Sequence, residues 1–130
     1  MSLSGVAMVF QSNGGLRIEF TGEQPEAGNL LTQWIALEPD KEYRLRVRYE
    51  TNNITQATGL RWIVQRPEFA TDLSSGGAVL KPNDQGMAEA TFHSPAQGCL
   101  LRLMLTYGRV SGTTRIDGDV ILNEVKVERI

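Results

Sequence analysis

The segment Asn29–Glu50, NLLTQWIALEPDKEYRLRVRYE, decides the fold class. Residues 30–37 and 42–50 flank a short Glu38-Pro39-Asp40-Lys41 turn. In the second of them Tyr43, Leu45, Val47 and Tyr49 share one parity, and Arg44, Arg46 and Arg48 take the other. Successive side chains of a strand point to opposite faces, so this is the pattern of a half-buried β-strand. In the first, Leu31, Ile35 and Leu37 alternate with Thr32, Trp34 and Ala36.

Outward from this segment the same pattern recurs. Residues 6–10 precede the turn cluster Ser12-Asn13-Gly14-Gly15, and Leu16, Ile18 and Phe20 then alternate with Arg17 and Glu19. Leu60, Trp62 and Val64 oppose Arg61, Ile63 and Gln65, which makes Trp62 a core residue. Residues 66–77 read as an irregular loop, with a short strand expected over 78–81 and a turn at Lys81-Pro82-Asn83-Asp84. Ala88, Ala90 and Phe92 share a face; Leu101, Leu103, Leu105 and Tyr107 share another, against Leu100, Arg102, Met104 and Thr106. Between Leu122 and Val125 the parity changes, which predicts a bulge near Asn123. The expectation is an all-β antiparallel two-sheet sandwich of eight to nine strands. Residues 1–5 are expected to be a tag or flexible start, and 6–130 a single domain.

Composition narrows the function classes. The 130 residues are 41% hydrophobic and 22% charged, which fits a globular core. A formal charge of −2 gives no global reason to bind nucleic acid or an anionic membrane. No apolar run approaches the ~20 residues of a membrane span. Cys99 is the only cysteine, so no internal disulfide can form; beside Leu100 and Leu101 it reads as a small buried hydrophobe. His93, the only histidine, stands at a strand end before Ser94-Pro95, and no Gly-x-Ser-x-Gly motif occurs. Asp117 and Asp119 flank Gly118 at a spacing natural to a tight turn. Nothing here points to catalysis, and Asp117, Asp119 and Glu124 offer a hard cation fewer oxygens than it needs. Arg109 or Arg115 is expected to pair with Asp117 or Asp119 and order the 108–119 loop.

The order Gln33, Ile35, Leu37, Glu38-Pro39, Tyr43-Arg44-Leu45 resembles the Q-x-V-x-V-x-P-G-x-x-Y-x-L signature of xylan- and cellulose-binding modules of the galactose-binding-like superfamily. Phe92-His93-Ser94-Pro95 and Ile116-Asp117-Gly118 resemble their later landmarks. The resemblance implies a jelly roll, an extracellular or periplasmic setting, and a non-catalytic accessory module of a larger protein. It also raises a structural calcium, but the acidic stretch near the first strand is missing and Asn123-Glu124-Val125 replaces the usual Asp-Asp-Val. No cofactor is therefore expected.

Sorted by the sheets that the resemblance implies, one outer face carries Arg17, Glu19, Arg44, Arg46, Arg48, Glu89, Lys126 and Glu128, with both signs interleaved. That is a solvated face. The other carries Trp34, Arg61, Gln65, Arg102 and Met104, and the resemblance makes it the candidate groove for a polysaccharide or oligosaccharide. Exposed apolar surface serves protein contacts equally well, so another domain of a parent chain or a second copy is the rival partner. Neither nucleic acid nor membrane is expected.

Overall fold

The computed structural model describes residues 5–10, 14–67, 71–73, 77–82, 85–96 and 100–130. Cys99 and parts of the turns expected at 12–15, 66–77, 81–84 and 94–98 lie outside them.

The first sheet has the order β1 (Val6–Phe10), β2 (Leu16–Thr21), β10 (Asp117–Arg129), β4 (Glu42–Asn52), β8 (Gln85–His93). The second runs β3 (Ala27–Ala36), β9 (Leu100–Gly108), β5 (Leu60–Arg66), followed by two short segments along the far edge of β5. These are β6 (Thr71–Asp72) and β7 (Ala78–Val79), so this sheet is four strands wide. Every pairing is antiparallel. From β2 to β5, and again from β8 to β10, the chain crosses between the sheets at each connection, which is the jelly-roll connectivity. The two halves of the opening segment accordingly lie in different sheets. The expected bulge is present, as a register shift between Leu122 and Glu124.

Alternation explains why these stretches close on one another. Tyr43, Leu45, Val47 and Tyr49 of β4 are buried against Leu60, Trp62 and Val64 of β5 and Leu101, Leu103 and Leu105 of β9. Each fully buried Leu or Val contributes roughly 1.5–3 kcal/mol by leaving water, which makes the sandwich interior the main source of stability. Trp62 is buried, as its parity requires.

Outside the first sheet, charge alternates across strands. Arg46 Nη1 meets Glu128 at 3.1 Å, and Glu89 lies 3.5 Å from Arg46 Nε and 3.7 Å from Arg44 Nε. Arg17 pairs with Asp119 across β2 and β10. Half-exposed pairs like these are worth about 0–1 kcal/mol each. They keep the face wet and leave the second sheet as the place to look for a site.

Candidate functional site

Directly opposite residues of an antiparallel sheet present their side chains on the same face. Trp34 lies opposite Arg102, Arg102 opposite Gln65, and Gln65 opposite Asp72. A single row therefore crosses β3, β9, β5 and β6. With strands ~4.8 Å apart it spans roughly 14 Å. The next row along the strands is Thr32, Met104, Ile63, and the one beyond it includes Thr106, Arg61 and Val79.

Trp34 is 52% exposed on the edge strand β3. Arg102 Nη2 donates to Gln65 Oε1 at 2.6 Å, and its Cζ lies 5.9 Å from the centroid of the Trp34 ring. The hydrogen bond engages the amide oxygen, which turns the donor nitrogen of Gln65 away from Arg102. Arg102 Nε is buried and has no hydrogen-bond partner among the described residues. A flat apolar ring, a planar cation and an amide are thus held side by side.

Two of the five expected site residues stand apart from this row. Arg61 is exposed on the same face but four residues from Gln65 along β5, roughly 13 Å away. Met104 shares the face by parity and is only 5% exposed. It sits on an inner strand, paired with Thr32 on one side and Ile63 on the other. Met104 therefore lies low on the face, as part of its floor. Asp72 is the residue that sequence reasoning missed. Its two-residue strand carries no apolar alternation, and the pairing with Gln65 that places it exists only in the fold.

The loop end of the sandwich corrects another expectation. Arg109 Nε meets Glu26 at 3.1 Å and Arg109 Nη1 donates to the Thr113 carbonyl at 2.9 Å, while Arg115 lies 4.0 Å from Glu26. The arginines do order the loop, but through Glu26 rather than Asp117 or Asp119. Glu26 is brought there because β3 pairs with β9, as the Arg109 amide donating to the Glu26 carbonyl shows. Asp119 is engaged by Arg17.

Among the described residues, no group of three or more His, Cys, Asp or Glu side chains is arranged to hold a metal. His93 lies between Asp40 and Glu42, one on each ring nitrogen, and these hydrogen bonds raise its pKa above the usual 6.5. The row on the second sheet includes one carboxylate, Asp72. Cleaving a glycosidic bond takes two facing carboxylates at least ~5 Å apart. What the row can do is stack an apolar ring face on Trp34 and hydrogen-bond hydroxyl groups through planar donors.

No protein-family model matches the sequence, and no curated protein matches it. The fold does have relatives among solved structures. A CBM4 structure superposes with a TM-score of 0.70 at 13% identity, covering 99% of this chain and 81% of the other. The C-terminal domain of EclA, a sugar-binding protein, gives 0.64 at 18% identity, covering 96% and 84%. The enzymatically active domain of tailspike protein 4 from bacteriophage CBA120 gives 0.60 at 15% identity; this chain is covered to 96% but spans only 18% of that one. Identities this low establish a shared fold, an antiparallel jelly-roll sandwich.

Proposed function

We propose that this chain is a non-catalytic accessory domain of the carbohydrate-binding-module kind, holding a polysaccharide or oligosaccharide on the outer face of its second sheet. The observation that carries the reading is Trp34, half exposed and held beside Arg102 in a row that continues to Gln65. An exposed indole flanked by fixed planar hydrogen-bonding groups suits a sugar, whose ring has apolar C–H faces and a rim of hydroxyls. Structures with the same fold include a protein described as sugar-binding, which supports the reading. In this reading Arg61 engages the chain further along the face, and Met104 supports the floor beneath it.

A second reading has its own observation. Leu100, 54% exposed, lies opposite Ala36 next to the Trp34 row, and apolar surface of this kind also serves an interdomain or oligomer contact. The test is intrinsic tryptophan fluorescence of the wild type and Trp34→Ala against soluble xylan, β-glucan and mannan, with the mass of the protein measured alongside. A saturable shift in the wild type that disappears in Trp34→Ala supports the glycan reading. No shift with any polymer, together with a blue-shifted Trp34 in an oligomer, moves the assignment to protein contact.

A further inference from the structure

We propose that β1 is a homotypic docking edge. A second copy of this chain pairs with it antiparallel, in register about Met8, and joins the two five-stranded sheets into one.

The direction of the free backbone groups comes first. Thr21 N donates to the Gly5 carbonyl at 3.0 Å, one step beyond the Val6–Phe20 pair of the β1–β2 ladder. Hydrogen-bonded pairs alternate along an antiparallel ladder. Ala7 and Val9 therefore bond to β2, while Val6, Met8 and Phe10 send their N–H and C=O groups to the open side. Among the described residues no strand takes up that side.

The side chains of Met8 and Phe10 are uncovered too, while Val6 packs in part against the core. Met8 lies opposite Ile18, a core residue, so Met8 and Phe10 point toward the second sheet. Yet Met8 is 37% and Phe10 83% exposed. A cleft is lined by Met8, Asn29, Leu30, Leu31 and Thr32. Edge strands are usually guarded by charge, proline or a bulge. β1 (VAMVF) and β3 (AGNLLTQWIA) carry no charge and no proline, in a chain that is 22% charged. At the opposite edge of the first sheet, β8 carries Glu89 and His93.

The occupant that fits is the same strand of a second copy. A twofold axis at Met8 sets Met8 against the partner's Met8 and Val6 against the partner's Phe10. Each facing pair exchanges two hydrogen bonds, so every outward group of β1 is satisfied. Shifting the strands by two residues leaves an outward-facing residue unpaired at the end of each strand. No like charges meet, and the interface closes on itself as a twofold contact does. The same pairing brings the Phe10 and Met8 side chains of the two copies together over their clefts.

In such a joined sheet the axis stands perpendicular to the strands, so both second sheets lie on one side. Their Trp34 faces then point the same way, outside the contact. If the glycan reading holds, a polymer engages both faces at once and binds more tightly than the two faces taken singly. The dimer itself does not rest on that reading.

Sedimentation of the full chain over a range of concentrations tests the contact, together with amide hydrogen exchange. The expected result is a concentration-dependent dimer in which the amides of Val6, Met8 and Phe10 slow as it forms, while Ala7 and Val9 are protected throughout. Met8→Lys sets two ammonium groups against each other at the axis and yields a monomer with unchanged tryptophan emission. Wild type that stays monomeric overturns the proposal. So does a dimer that survives Met8→Lys, or one whose added protection falls outside β1.

Discussion

The guanidinium carbon of Arg102 lies 5.9 Å from the centroid of the Trp34 ring, on the neighbouring strand and directly opposite it. A cation over an exposed indole is worth about 0.5–1 kcal/mol. Arg102→Ala removes that contact and the hydrogen bond to Gln65, so its unfolding free energy should fall by about 1–2 kcal/mol. Arg102→Lys should recover only part of this, because an ammonium group cannot reproduce the planar fork. Urea titrations of the three proteins, followed by tryptophan emission, check the order; equal midpoints would remove the pair from the stability of the face.

Gly59 predicts a larger loss. Its φ is +71°, and a Cβ there would stand 2.2 Å from the Gly108 carbonyl oxygen. The approach is tight because the Gly108 amide donates to the Gly59 carbonyl at 2.9 Å, which fixes the start of β5 against the end of β9. Gly59→Ala should therefore destabilise by at least about 2 kcal/mol, combining left-handed strain with backbone overlap. A denaturant midpoint within error of the wild type would contradict the close approach.

The core should respond on the scale of a cavity. Leu45 is fully buried between its alternating neighbours Tyr43 and Val47 on an inner strand of the first sheet. Leu45→Ala should cost about 2–5 kcal/mol, against little for Val9→Ala on the exposed edge strand. Thermal unfolding of the two variants separates core from edge, and similar shifts for both would be inconsistent with this packing.

The sheets were legible in the sequence because one face of each strand is buried, which forces a period of two. Parity assigns Leu45, Trp62 and Leu105 to the interior, and the lost beat at Asn123 marks the bulge. Parity names a face but not a depth. Met104 and Trp34 have the same sign, yet the first is buried on an inner strand and the second half exposed on an edge strand. Pairings made at long range leave no local trace, which is why neither Glu26 as the partner of Arg109 nor Asp72 as the neighbour of Gln65 could be read from the chain.

His93 gives a pH dependence with a defined sign. Its Nε2 lies 2.5 Å from Asp40 and its Nδ1 2.6 Å from Glu42. The hydrogen bond to Asp40, then that to Glu42, favours the imidazolium and raises the pKa above 6.5. A raised folded-state pKa means the contribution is fully present below 6.5 and is lost as pH rises through the raised value. The stability gap between wild type and His93→Gln should thus close on the alkaline side. Titrating the His93 ring by NMR checks the premise, and a value at or below 6.5 would reverse the expectation.

Ser94 should matter more than a serine at a strand end usually does. It is fully buried, and its hydroxyl donates to the Glu38 carbonyl at 2.7 Å while accepting from the Lys41 amide at 2.9 Å. Its own amide donates to the Lys41 carbonyl at 2.9 Å. One side chain thereby ties the end of β8 to the crossover that carries the chain from β3 to β4, where Asp40 holds a φ of +54°. Ser94→Ala leaves a part-buried carbonyl and a part-buried amide without that partner, which should cost about 1 kcal/mol or more in all. Ser94→Thr keeps the hydroxyl but adds a methyl group where no space is open. Both should unfold earlier than the wild type, and the Lys41 amide should exchange faster in Ser94→Ala. If that amide stays as protected as in the wild type, the hydroxyl is not what holds the crossover.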